Sequence, residues 1–151
     1  MLKKIILITL LFGIALSMEK QKVVLITGTA LGIGKSTAEY LIDKGHIVYG
    51  GDILIEENLY LNDIGGTALE MDVTNQNHID NAITKIISEH GRIDVLVNNA
   101  GLGVYGAIED VSMEDIYYQY DVNLFGLARV TKAVLPHMRE KESGLIINIS
   151  S

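Results

Sequence analysis

Residues Thr27 to Gly34 read Thr-Gly-Thr-Ala-Leu-Gly-Ile-Gly and follow directly on the apolar run Val23-Val24-Leu25-Ile26. A short hydrophobic strand feeding a glycine-rich turn that opens a helix can hold a dinucleotide pyrophosphate. Gly28 permits the tight turn, Gly32 lets backbone approach phosphate, Ile33 opens the helix, and Gly34 lets the helix pack on the strand. The helix start then offers unpaired N–H groups and a positive dipole end to the anion. Glycines alone are weak evidence, because any turn needing positive φ recruits them. The strand before and the helix after turn this one into a binding motif.

Other polar residues fall where such a ligand would meet them. Asp52 lies 18 residues beyond Gly34, at the end of the second expected strand. A carboxylate about 20 residues past the glycine turn accepts hydrogen bonds from the adenosine ribose. It would also repel a 2′-phosphate, so the expected cofactor is NAD, with NADP less favoured. Leu31 within the turn and Ile53-Leu54 after Asp52 supply no arginine to pair that phosphate. Asp72-Val73 end the third strand, where a carboxylate and a neighbouring backbone N–H reach an adenine edge; the competing reading is acidic chemistry at the start of the next helix. Asn98-Asn99-Ala100-Gly101 end the fourth strand, where small residues leave room for a ribose and the amides can tie adjacent loops together. Asn123 sits in a mostly apolar helix, either as a satisfied core amide or in a functional role. Ser150-Ser151, taken alone, say nothing.

The elements that must position these residues alternate along the chain. After the glycine turn, Ile33, Thr37, Leu41 and Ile42 share one helical face, and Gly45 stands where a left-handed cap is wanted. A second strand over 46–51, a short acidic helix or turn over 56–62, and a third strand over 67–71 follow. Thr74 is expected to N-cap a helix with the apolar stripe Ile79, Ala82, Ile83, Ile86 and Ile87, closed by Gly91. Ile93 to Val97 reads as a strand buried on both faces. Ser112, with Asp115 three residues on, resembles a capping box. It opens a long helix expected to reach about Pro136, with Ile116, Tyr120, Leu124, Leu127 and Ala128 facing inward. A fifth strand occupies 145–149. Strands alternating with helices predict an α/β fold, a parallel sheet with helices on both faces.

The composition of the 151-residue chain fits one ordered domain, with 48% hydrophobic residues and a single proline. A net charge of −7 without any basic stripe disfavours nucleic acid. With no cysteine and four scattered histidines, no disulfide, thiol or metal chemistry is expected. At the N-terminus Lys3-Lys4 precede thirteen uncharged residues, Ile5 to Ser17, too few for a membrane span of about 20. Two readings stand: a signal-peptide core with a small-residue cleavage site, or an upstream extension before a domain that begins at Met18. Nicotinamide cofactors are abundant in the cytoplasm, which favours a cytoplasmic site of action. Membrane contact is expected only if residues 1–17 act as a signal or anchor.

Taken in order, Thr27-Gly28-(three residues)-Gly32-Ile33-Gly34, Asp72-Val73, Asn98-Asn99-Ala100-Gly101, Asn123-Leu124-Phe125-Gly126 and Asn148-Ile149-Ser150-Ser151 resemble the short-chain dehydrogenase/reductase family. The resemblance runs from Lys22 to Ser151. Within the family, the stretch Gly91 to Gly101 is similar to the subgroup acting on alcohols and ketones, including steroid- and retinol-like substrates. The resemblance implies a Rossmann-type doubly wound sheet of about five strands in order 3-2-1-4-5. It implies hydride transfer between NAD(P) and a small-molecule alcohol or ketone, in a homo-oligomer when the enzyme is complete. It also implies that Asn123 holds a water in a proton relay and that Ser151 hydrogen-bonds the substrate oxygen.

The family's acid/base is a tyrosine in a Tyr-x-x-x-Lys motif beyond this serine, whose lysine lowers the tyrosine pKa. Here the seven tyrosines, among them Tyr117, Tyr118 and Tyr120, all precede Ser151 and are expected to lack that lysine partner. The polypeptide is therefore expected to be the N-terminal part of a longer enzyme, inactive alone, with strand five as an uncovered hydrophobic edge. The alternatives are a non-catalytic dinucleotide-binding module and, resting only on residues 1–17, a secreted remnant without a cofactor role.

Overall fold

The computed structural model describes residues 20–150. The segment 1–17, Met18 and Ser151, on which several expectations fall, lie outside the described residues.

Five parallel strands form one sheet in the order β3-β2-β1-β4-β5: β1 (Val23–Thr27), β2 (Ile47–Asp52), β3 (Thr67–Glu70), β4 (Val95–Asn98) and β5 (Leu145–Asn148). The helices are α1 (Gly32–Asp43), the short α2 (Ile55–Asn58) and α3 (Tyr60–Asp63), α4 (Gln76–His90), α5 (Met113–Tyr120) and α6 (Leu127–Glu140). A π-helical turn, Asp121–Gly126, joins α5 to α6. This is the parallel α/β arrangement that the alternation of elements predicts, in the strand order that the resemblance implies.

β1 is central, and all five of its residues are buried. Successive side chains point to opposite faces, so β1 contributes to two cores. Val23 and Leu25 join Tyr49, Leu69, Leu96, Ile79, Ile83, Ile86 and Val130 under α4 and α6. Val24 and Ile26 join Val48, Val97, Leu61 and Ala38 under α1 and α3. Full burial of a side chain such as Leu25 contributes about 1.5–3 kcal/mol.

Several local expectations are corrected. Of the face expected on α1, Leu41 and Ile42 pack half-buried against the core, but Ile33 is 64% exposed, and the fully buried residues are Gly34 and Ala38, one turn apart. Close approach to the sheet selects small side chains on this face. Asn75, not Thr74, caps α4, its side chain accepting from the Asn77 and His78 amides, because Thr74 is held by Asp72. The long helix does not stop at Pro136 but continues to Glu140. Its buried line is Val122, Gly126, Val130, Val134 and Met138; Tyr120, Leu124 and Ala128 are exposed, and Ile116 and Leu127 are half-buried. The π-helical turn adds a residue to the helical phase, so a stripe read at constant α-helical period drifts off the core. In β4, Leu96 and Val97 are buried while Val95 is only half-buried.

Gly45 and Gly91 terminate α1 and α4 with φ of 82° and 66°, the left-handed conformation expected of helix ends. Ser112 caps α5, its hydroxyl accepting from the Asp115 amide at 3.0 Å.

Candidate functional site

At the carboxyl ends of β1 to β4 lies a cleft of about 410 Å³, lined by Gly28, Ala30, Leu31, Gly32, Ile33, Asp52, Ile53, Leu54, Met71, Asp72, Val73, Asn99, Ala100, Gly101, Leu102, Tyr118 and Val122. That size falls within the range of small-molecule sites, roughly 300–1,000 Å³. In an open α/β sheet this edge is where ligands bind. The cleft gathers eight of the site residues singled out in the sequence, together with Asn99 of the same motif, from four separate loops.

The glycine turn is built by contacts that require its glycines. Gly28 has φ 75°, and a Cβ there would stand 2.8 Å from the Ala100 Cα. A Cβ on Gly34 would stand 1.9 Å from the Gly28 carbonyl oxygen and 2.5 Å from the Asn99 side-chain nitrogen. Gly34 thus lets α1 pack on the turn itself and on Asn99. Gly32 differs: at φ 59° its Cβ position faces empty space. Leu31, at the N-cap of α1, supplies no side-chain cap, and the first turn carries no acidic residue. The helix end therefore keeps its positive potential for an outside anion.

Side chains lock the turn to its neighbours. The buried Thr27 hydroxyl accepts from the backbone amides of Asn99 at 3.0 Å and Ala100 at 2.9 Å. Asn99 donates its side-chain amide to the carbonyls of Thr27 and Gly28, at 3.0 and 2.9 Å. The Thr29 hydroxyl donates to Asn58, which donates to the Gly50 carbonyl, both at 2.8 Å. The Tyr60 hydroxyl donates to the Thr29 carbonyl at 3.0 Å. Burial, and then the carboxylates of Glu39 and Asp52, push the Tyr60 phenol up to about 12, so it remains a donor. Thr27, Thr29, Asn58, Asn99 and Tyr60 were not among the site residues read from sequence. Thr27, Thr29 and Asn99 stood within quoted motifs; Asn58 and Tyr60 carried no signal.

The carboxylates have structural partners as well. Asp52 accepts from the Ala30 amide at 2.8 Å with one oxygen and from the Leu54 amide at 2.9 Å with the other, which ties β2 to the glycine turn. A carboxylate has about four acceptor positions, so capacity remains toward the cleft. Asp72 accepts from both the amide and the hydroxyl of Thr74, at 2.8 and 2.7 Å. Val73 is buried against Gly126, where a Cβ would stand 2.6 Å from its methyl.

Three expected residues stand outside the cleft lining: Gly34, packed on the turn as described, and Asn98 and Asn123. Asn98 is buried, its amide donating to Thr131 at 3.0 Å and to Asn148 at 2.9 Å, which joins β4 to α6 and β5; its side-chain oxygen has no partner among the described residues. Asn123, exposed in the π-helical turn, accepts from the Leu102 amide at 2.9 Å and donates to the Leu102 carbonyl at 2.8 Å. It fixes the loop that follows Gly101. Ser151 lies outside the described residues.

The expectation that no tyrosine has lysine four residues on fails once: Tyr40 is followed by Lys44. Lys44 Nζ stands 5.2 Å from the Tyr40 ring centroid. The pair occupies the last turn of α1, about 10–15 Å along the helix from the glycine turn. It is a surface contact remote from the cleft.

A second, larger and more open cavity of about 930 Å³ covers the face of β1, β4 and β5 beside α1, lined by Val24, Val95, Val97, Leu145, Ile147 and Ile149 among others. It is an apolar sheet face that no element covers among the described residues. β5 is an edge strand, and its Leu145 is 53% exposed. The convergent amides and carboxylates are in the smaller cleft.

The sequence matches the profile of the short chain dehydrogenase family over residues 22–151. It is 47% identical to a 3-ketodihydrosphingosine reductase of Bacteroides thetaiotaomicron over 86% of this chain and 47% of that protein. It is 39% identical to a 3-oxoacyl-(acyl-carrier-protein) reductase of Thermotoga maritima, over 86% of this chain and 55% of that one. Among solved structures, a short-chain dehydrogenase from Streptomyces avermitilis superposes with a TM-score of 0.80 at 36% identity, over 87% of this chain and 50% of its own. The aldohexose dehydrogenase of Thermoplasma acidophilum superposes with a TM-score of 0.76 at 39% identity, over 87% and 50%. The chain spans about half the length of the curated relatives it matches.

Proposed function

This chain belongs to the short-chain dehydrogenase family, and we propose that it forms the dinucleotide-binding part of an NAD-dependent oxidoreductase acting between an alcohol and a ketone. The observation that carries this reading is one cleft holding three complementary features: the uncapped start of α1, the open position at Gly32 and the Asp52 carboxylate. These fit a dinucleotide. The first-turn amides of α1 bind the pyrophosphate. Asp52 accepts from the adenosine ribose hydroxyls, and Asp72 and Val73 meet the base. Ala100 and Gly101 leave space for the second ribose, and Asn99 holds that loop against the glycine turn.

When bound, the nicotinamide supplies the hydride donor or acceptor. Asn123, by the family resemblance, holds a relay water, and Ser151 orients the substrate oxygen. Asn98 supports these groups from behind by fixing β5 to β4. The relatives' names, reductases of keto and oxo compounds and an aldohexose dehydrogenase, support carbonyl and hydroxyl chemistry. We further propose that the chain alone does not turn substrate over, because its one Tyr-x-x-x-Lys pair lies far from the cleft. The complete enzyme would act in the cytoplasm, as a homo-oligomer.

Titration with NADH and NADPH, followed by calorimetry, tests the reading. NADH is expected to bind at least about tenfold more tightly, since placing a 2′-phosphate against a carboxylate costs more than about 1.4 kcal/mol. Equal or tighter binding of NADPH would overturn the NAD assignment, and binding of neither would overturn the site. A cofactor-binding chain without oxidoreductase partners or activity in any reconstitution would instead favour the non-catalytic module.

A further inference from the structure

We propose that Tyr118 holds the adenine base, forming an aromatic wall on the adenosine side of the cleft. The inference rests on the dinucleotide reading above and adds a residue that the sequence did not mark. The sheet order β3-β2-β1-β4 sets the direction of the ligand. With phosphate at the glycine turn after β1 and ribose at Asp52 after β2, the base extends toward the end of β3, where Met71, Asp72 and Val73 line the cleft.

The wall above that end comes from α5 and the π-helical turn. Gly126 packs on Val73, which brings the turn down onto the end of β3. Val122 lines the cleft, and Tyr118, four residues earlier, lies one turn away on the same side.

Tyr118 differs from the other tyrosines nearby. The residue is 49% exposed, yet it lines the cleft, whereas Tyr117 and Tyr120, 67% and 54% exposed, do not. Tyr49 and Tyr60 engage their hydroxyls with Glu89 and His90 and with Thr29; Tyr118 makes no such bond among the described residues. A half-exposed ring in a cleft that Val73, Leu102 and Val122 also line presents an apolar surface suited to a flat heteroaromatic base. Such rings pair in offset-stacked or edge-to-face arrangements, a preference set by their quadrupoles.

ADP-ribose, which carries the base, ribose and pyrophosphate, is the probe. Binding to the full chain is measured by calorimetry for wild type, Tyr118→Phe, Tyr118→Ala and Tyr117→Ala. Tyr118→Ala is expected to weaken ADP-ribose about tenfold, the scale of base–aromatic stacking. Tyr118→Phe is expected to stay within about threefold of wild type, because the ring and not the hydroxyl is used. Tyr117→Ala should match wild type.

The chain has no tryptophan, so Tyr118→Trp introduces a single reporter. Its emission should be quenched by ADP-ribose and left unchanged by ribose 5-phosphate. If wild type and Tyr118→Ala bind ADP-ribose equally, or the tryptophan emission does not respond to it, the Tyr118 assignment is overturned while the cofactor site stands. If wild type binds neither ADP-ribose nor NADH, the cofactor reading falls as well. Unchanged thermal unfolding of the variants separates a lost contact from a lost fold.

Discussion

Replacing Thr27 by valine tests whether one hydroxyl holds the cleft's two main loops together. Thr27 is 2% exposed, and its oxygen accepts from two backbone amides, those of Asn99 at 3.0 Å and Ala100 at 2.9 Å. Valine keeps the shape, removes the acceptor and leaves both donors without a partner. Each orphaned buried donor costs about 1–3 kcal/mol. Asn99 and Ala100 are half-buried, so water relieves part of this penalty, and the added methyl returns up to about 0.8 kcal/mol. The expected net loss is about 2 kcal/mol, or a fall in Tm of about 5–10 °C for a chain of this size.

Thr27→Ser supplies the decisive control. It keeps the acceptor and loses a methyl, at about 1 kcal/mol. Hydrophobic burial alone ranks Val above Ser at this position; hydrogen bonding ranks Ser above Val. Urea unfolding followed by circular dichroism measures the order, and amide exchange at Asn99 and Ala100 should accelerate in Thr27→Val only. A Thr27→Val protein as stable as wild type, or more stable than Thr27→Ser, would refute the reasoning.

Two further outcomes are expected. Gly34→Ala places a Cβ 1.9 Å from the Gly28 carbonyl oxygen and should cost about 3 kcal/mol or more together with NADH binding, whereas Gly32→Ala meets open space and should fold at a cost of about 1–2 kcal/mol for its positive φ. Parallel unfolding curves and NADH titrations of the two variants check this contrast. Asp94 is the acid-sensitive group at the opposite edge of the sheet: burial would raise its carboxyl, but the Val23 amide and the Arg92 guanidinium hold it below the ordinary 3.8. Its folded pKa is depressed, so its contribution is present above about pH 4 and is lost as pH falls through the folded value. Asp94→Asn should flatten that acid limb while leaving the slope above pH 5 unchanged, as read by urea midpoints across pH 2–7.

Much of the fold was legible because hydrophobic period and glycine position are local signals. The apolar run of β1, the stripe Ile79-Ala82-Ile83-Ile86 of α4 and the glycines at 45 and 91 each state their element without reference to the rest of the chain. The errors share a cause. Ile33 reads as a core residue by period, yet α1 meets the sheet so closely that Gly34 and Ala38 make the contact. Thr74 reads as a cap by type, yet Asp72 takes its hydroxyl and Asn75 does the capping. The inward line of the long helix was misplaced because a π-helical turn shifts phase without a compositional mark.

The candidate site divides in the same way. The sequence by itself determined the family, the parallel α/β order and the chemistry at each strand end, since residue type and spacing along one segment suffice to place glycines at a turn or a carboxylate at the end of β2. Only the tertiary structure decided which of those groups meet. It set Asn99 rather than Asn98 in the cleft lining, turned Asn98 toward Thr131 and Asn148, and gave Thr27 two amides separated from it by some seventy residues. It also brought Tyr118 into the cleft lining and left Tyr40 and Lys44 at the far end of α1. Side-chain direction at a strand end depends on which neighbour offers the complementary donor or acceptor, and that neighbour comes from another strand or helix, beyond the reach of any local pattern.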